Sequence, residues 1–195
     1  YRRQRQMCIR DRSYLYAVKS AYASHGEMSA ECEFKTLVKE LHKAGIECIP
    51  EIYFTGKELP GEILSVLRYW AEEYHVDGFH LSGFPDLSLA AEDPFLKRTK
   101  LFAENWNDVM NRRPKQGYVT PGDGAVSVEE KNLAEYNMQF MEDMRRFLKG
   151  DEGMLSAFEL RNRRNPMEYA VINYMANTNG FTLMDTVSYL SLIHI

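Results

Sequence analysis

The chain has 195 residues, 45% of them hydrophobic and 27% charged, with a formal net charge of −4, the balance of a globular chain with a real core. No apolar run approaches the roughly 18 residues of a membrane span, and the acidic balance disfavours nucleic acid and anionic surfaces as partners. Its three cysteines, Cys8, Cys32 and Cys48, are too few for a disulfide framework in a chain of this size.

Taken in chain order, the two ends come first, because they read as foreign to the rest. Arg2 to Asp11 (RRQRQMCIRD) back-translates as CGT CGG CAG CGT CAG ATG TGT ATA AGA GAC. Leu190 to Ile195 (LSLIHI) back-translates as CTG TCT CTT ATA CAC ATC. The second string is the reverse complement of GATGTGTATAAGAGACAG, which runs through the MCIRD codons of the first. Opposite strands of one oligonucleotide at the two ends resemble a sequencing-library adapter translated with its insert. Residues 1–12 and 190–195 are therefore expected to be adapter-derived, as a scar would be, and 13–189 to be the protein proper. The first twelve residues carry five arginines against one aspartate, so the remainder has a formal charge of −8. A basic N-terminal arm is not a feature of the protein.

Between the ends, helical and strand patterns alternate. Ser29 to Ala44 places Phe34, Leu37, Val38 and Leu41 on one face and stops at Gly45, which predicts a helix. Ile46 to Phe54 follows as a buried strand, with Pro50 inside it where it removes a ladder donor. Gly61 to His75 repeats the helical spacing, and Val76 to Leu81 is the next strand. Lys100 to Ala103 is a third strand, Leu133 to Phe140 a fourth, and Met141 to Lys149 a helix ending at Gly150. Ala170 to Ala176 closes the series as a strand. The connection from Trp106 to Val126, with Pro114, Gly117, Pro121, Gly122 and Gly124, is of the length that in compact domains usually carries function. Strands separated by helices predict parallel βαβ units, hence a doubly wound sheet or a (β/α) barrel.

Five strings decide between these: EFKTLVKELHKAGIECI, RYWAEEYHVDGF, TKLFAEN, RRFLKGDEG and NGFTLMDTVSY. In this order they resemble glycoside hydrolase family 13, in its isoamylase and glycogen-debranching branch and less closely its pullulanases. The resemblance runs from Tyr14 to Tyr189. It implies an α/β fold, a partial (β/α)8 TIM barrel from about the second strand to the seventh, with the rest of the barrel and any flanking domains beyond the ends. It also implies an ancestral retaining hydrolysis of α-1,6-glucosidic bonds and an α-glucan partner (glycogen, starch or maltooligosaccharide). A cytoplasmic setting is expected, and no cofactor.

A retaining glycosidase needs a carboxylate nucleophile and a carboxylic general acid about 5 Å apart, and in such barrels these stand at the C-terminal ends of the strands. The family's third-strand motif, which runs from aspartate to asparagine and histidine, matches Glu51, Ile52, Tyr53, Phe54, Thr55 and Gly56, so its sugar-gripping histidine is Gly56. The fourth-strand motif matches Asp77, Gly78, Phe79, His80, Leu81 and Ser82. The nucleophile's place is taken by Ser82 and its arginine's by His80. Glu104 follows KLFA where the proton donor belongs, with Asn105 and Trp106 after it. The seventh-strand histidine–aspartate pair becomes Thr178 and Asn179. Of three catalytic carboxylates, Glu104 alone remains.

The resemblance further implies substrate contacts at Tyr53, His80, Trp106 and Thr178, with the two aromatics stacking on sugar rings or packing. Ser82 and His80 point to one face of a strand, but a serine glycoside would be a stable acetal rather than a hydrolysable ester. Asp86, Glu51 and Asp185 are acids that stand near the site as displaced nucleophiles, although Asp185 matches a helix start. His42 and His75 read as surface or packing residues and His25 as a loop residue; no cluster has metal-ligand spacing. Three readings follow: a non-catalytic barrel that binds α-glucan, an active glycosidase using Glu104 with a displaced nucleophile, and a purely structural domain.

Overall fold

The computed structural model describes residues 15–24, 26, 28–106, 132–166 and 168–175. The adapter-like ends, His25, Thr178, Asn179, Asp185 and nearly all of the long connection after Trp106 lie outside the described residues.

Five strands form one sheet: β1 Glu51–Phe54, β2 Gly78–Gly83, β3 Lys100–Ala103, β4 Leu133–Tyr136 and β5 Ala170–Ile172. Their order in the sheet is their order in the chain, and every pair is parallel. A doubly wound sheet reverses its strand order at a switch point. This one advances in a single direction, as a barrel wall does. The architecture is a partial (β/α) barrel.

Among the described residues four α-helices accompany the sheet: α1 Ala30–Lys43, α2 Pro60–Tyr74, α3 Met138–Lys149 and α4 Met154–Asn162. The Ser29 side chain caps α1, accepting from the Cys32 N–H at 3.3 Å. Helix α2 starts on a proline, whose missing N–H costs nothing there, and Glu62 reaches back to the Leu59 N–H at 2.9 Å. Between β2 and β3 stand only two 3-10 turns, Ala90–Glu92 and Leu96–Arg98. Asp93 holds them, accepting the Phe95 and Leu96 N–H groups at 3.0 and 3.1 Å and pairing with Arg68.

Several boundaries differ from the sequence expectation: β2 is Gly78–Gly83 rather than Val76 to Leu81, and β5 ends at Ile172 rather than Ala176. The first strand begins at Glu51 rather than Ile46, so Pro50 precedes it. Lacking an N–H, Pro50 still contributes its carbonyl, which accepts from His80 N at 2.9 Å. The expected strand to Phe140 ends at Tyr136, because the Asn137 side chain accepts from Phe140 N at 3.1 Å and starts α3 there. Helix α4 was not expected at all. Its apolar residues lack a helical stripe, and Leu155 and Leu160 are exposed.

The core lies between the sheet and its helices. Ile52, Phe54, Phe79, Leu81, Leu101 and Ala103 are buried together with Ile63, Val66, Leu67, Trp70 and Tyr74 of α2. Each such large side chain removed from water contributes about 2 kcal/mol. Phe34 of α1 meets Trp70 and Tyr74 edge-on at 5.6 and 5.3 Å, and Trp70 donates to the Leu15 carbonyl at 2.7 Å. Among the described residues no helix is long and apolar enough to cross a membrane.

Candidate active site

In a parallel sheet, registered partners share a face and alternate residues change it. Glu51 registers with His80, Tyr53 with Ser82, His80 with Phe102 and Phe102 with Ala134. Glu51, Tyr53, His80, Ser82, Phe102 and Tyr136 therefore line the face opposite the helices, the inner wall of the barrel. Glu104 continues that alternation one residue past β3. This wall is largely polar and aromatic, whereas the other, with Ile52, Phe54, Phe79, Leu81, Leu101 and Ala103, is apolar over β1 to β3.

At its centre, His80 Nδ1 lies 3.8 Å from Glu51 Oε2, within ion-pair reach but beyond a hydrogen bond. The imidazole also packs on Tyr136, ring centroids 4.5 Å apart, and Tyr136 meets Phe102 and Tyr174 edge-on at 6.0 and 5.4 Å. Burial lowers the His80 pKa against the opposing pull of Glu51, so the ring is neutral at neutral pH. Burial pushes the Glu104 carboxyl up, and the charge of Glu51 pushes it further. Tyr174 is raised by burial and then by Glu104, which ties Glu51, His80, Tyr136, Tyr174 and Glu104 into one electrostatic neighbourhood. An upward shift is the direction a carboxylic general acid needs.

Ser82 stands at the level of Tyr53 on this wall and is 5% exposed. Its Oγ is buried and without a hydrogen-bond partner among the described residues. The conceivable Ser82–His80 pairing is thus not formed, because about 6.7 Å of strand separates residues two apart on one face. Among the described residues no group hydrogen-bonds this hydroxyl to prepare it as a nucleophile.

Trp106 is fully buried, and its Nε1 donates to the Ala134 carbonyl at 2.8 Å. Of the two readings the sequence left open for Trp106, its ring takes the packing one. Asp86 accepts the Ser88 N–H at 3.1 Å within its own loop. His42 bonds Asp77 at 2.8 Å, and Asp77 also accepts the Cys48 N–H at 2.7 Å, a structural brace between α1 and the feet of β1 and β2. Gly56 has φ +85°, and a Cβ there would meet the Phe84 Cβ at 3.1 Å. Gly83 has φ +87°, and a Cβ there would stand 2.0 Å from the Phe54 carbonyl oxygen and 3.0 Å from the Tyr53 ring. Both glycines serve the close approach of the loops that follow β1 and β2.

Sequence reasoning missed Phe102, Tyr136 and Tyr174. The signal for the first two was present as period-two spacing from Glu104 and Ala134, once the inward face was fixed. A cavity of about 290 Å³ shares Glu51 with this wall and is otherwise lined by Val18, Tyr22, Phe34, Leu37 and Trp70 among others, and by neither Ser82 nor Glu104. Among the described residues no cluster of His, Cys, Asp and Glu is arranged to hold a metal.

No family model matches the chain. It is 30% identical to "Isoamylase 3, chloroplastic" of Oryza sativa subsp. japonica over 255 positions, covering 89% of this chain and 30% of the rice protein. It is 28% identical to "Glycogen debranching enzyme" of Serratia proteamaculans over 240 positions, covering 89% of this chain and 35% of that protein. Similarity to "Glycogen operon protein GlgX homolog" of Haemophilus influenzae is 27%, over 90% of this chain and 35% of the relative. The chain thus spans about a third of the length of these relatives. The first alignment is longer than this whole chain of 195 residues, so the rice protein carries stretches that this chain lacks.

Proposed function

We propose, for this homologue of the isoamylases and glycogen-debranching enzymes of glycoside hydrolase family 13, a function that keeps the glucan and gives up its cleavage. In this reading the chain is the central part of a longer cytoplasmic protein whose barrel binds an α-glucan, such as glycogen, starch or a maltooligosaccharide. Glu104, His80, Tyr53 and Thr178 meet the sugar, while hydrolysis is absent. The observation that carries the reading is Ser82: where the family places a carboxylate nucleophile, this chain has a buried hydroxyl with no hydrogen-bond partner among the described residues. An oxocarbenium-like centre needs opposing negative charge, and losing one such electrostatic partner typically costs about 10²- to 10³-fold in rate. Asn179 in place of a second carboxylate and Gly56 in place of a histidine compound the loss.

A second reading, retained hydrolysis with a displaced nucleophile, is favoured by one observation. Glu51 shares the inner face with Glu104 and acts on it electrostatically. Against it stands the distance of Glu51 from the mouth: it lies one pleat deeper than Ser82 and beside His80. Asp86 is the weaker candidate, being engaged in its own turn.

The complete protein, incubated with glycogen, is expected to release no reducing ends above background and to give binding heat with maltoheptaose. Turnover that disappears in Glu104→Gln would overturn the inert reading. Loss of that turnover in Glu51→Gln or Asp86→Ala would identify the displaced group. No binding heat leaves the structural-domain reading.

A further inference from the structure

We propose that Phe84 is an aromatic platform at the barrel mouth on which one glucose ring of the bound α-glucan rests. The inference builds on the glucan-binding reading above and adds a subsite to it.

The Phe84 side chain is 78% exposed, more than any other exposed large hydrophobic among the described residues. A single exposed apolar side chain needs no explanation by itself. Its mounting does. The Phe84 N–H donates to the Phe54 carbonyl at 3.1 Å, which continues the β1–β2 pairing one residue past the strand. Ahead of it, Gly83 is pressed so close to β1 that no side chain fits, and across from it Gly56 lacks the side chain that would collide with the Phe84 Cβ. Two glycines in left-handed backbone conformation therefore clear the ground around one aromatic residue whose own backbone is fixed.

With the backbone fixed, only the two side-chain torsions of the ring remain to be ordered when a ligand settles on it, a small cost of binding. It stands two residues beyond Ser82, and the ring of Tyr53 lies alongside the intervening Gly83. The site therefore offers an apolar surface at the rim and the exposed Glu104 carboxyl on the inner wall. A glucopyranose has the matching halves: a face of C–H groups and an equator of hydroxyls. A neutral sugar also fits the charge. The chain outside its leading twelve residues carries −8, which repels anionic ligands. Phenylalanine makes no hydrogen bond, so its part is affinity and chain register rather than chemistry.

The test is isothermal titration of the complete protein with maltoheptaose, paired with a thermal melt for each variant. Phe84→Ala and Phe84→Leu are expected to weaken binding roughly five- to tenfold, since neither presents a ring face. Phe84→Tyr is expected to bind like the parent, and all three to melt with it. If the parent binds and Phe84→Ala binds equally well, the platform is refuted while glucan binding stands. Binding that survives in Phe84→Leu but not in Phe84→Ala makes the contact generic apolar bulk and refutes stacking. A lowered melting temperature with unchanged affinity shows a packing role and refutes the platform too. If the parent itself gives no heat, glucan binding fails first and the platform with it.

Discussion

Glu104 sits where burial and the charge of Glu51 both favour its protonated form. Replacing that neighbour in Glu51→Gln is therefore expected to lower the Glu104 pKa toward the ordinary carboxylate range. A carbon-13 NMR titration of the glutamate carboxyl reads this directly, and an unmoved titration would mean the two groups do not sense each other. The sign for stability follows from linkage. A carboxyl raised in the folded state favours folding below its unfolded pKa, and the advantage is lost as pH rises through the folded value. Ser82 makes a second expectation. A buried hydroxyl without a partner costs about 1 kcal/mol or more, so Ser82→Ala is expected to raise the denaturation midpoint of the complete protein. A fall would mean that the hydroxyl is satisfied in solution.

Among the elements, β2 is the most constrained. Gly83→Ala would force a side chain into φ +87° and 2.0 Å from the Phe54 carbonyl oxygen. Such a change is expected to cost about 3 kcal/mol or more, read as a shift of the urea midpoint; a shift under a third of that would mean the two strand ends separate easily. At the other end of β2, burial alone would raise Asp77, but the Cys48 N–H and the His42 imidazole outweigh it and hold the carboxyl below its usual value. A depressed carboxylate stabilises above its unfolded pKa, and that contribution is lost as pH falls through the folded one. Asp77→Asn is expected to cost about 1–3 kcal/mol at neutral pH and less at acid pH, below the ordinary carboxylate range. Equal loss at both pH values would show that the charge is not the cause.

The alternation of patterns made the strands and α1 to α3 legible, and motif strings put Glu104 and Ser82 at strand ends. What stayed hidden depended on side chains meeting across the sheet. Trp106 stayed open between sugar platform and packing residue because its indole partner, the Ala134 carbonyl, is 28 residues away. Tyr136 read as part of an unbroken strand because its place on the inner wall is set by register with Ile172, not by neighbours in sequence. Helix α4 was hidden for the opposite reason. Positive φ at Gly150 and Gly153 marks a stop and a restart, but apolar residues all round α4 leave no stripe to read.

For the whole molecule, the controlling fact is that β1 and β5 are the two edges of the described sheet. A parallel sheet with unpaired edges invites self-association, and in this chain neither edge strand is blunted by a proline within it. The isolated chain is therefore expected to aggregate on size exclusion and to melt without a cooperative transition. A monomer with one sharp transition would contradict this. The strand order has another consequence. Because each strand joins the one made just before it, no pairing waits for a segment still inside the ribosome. Assembly can keep pace with translation, each unit docking on a completed predecessor, and the nascent polypeptide exposes one growing edge at a time.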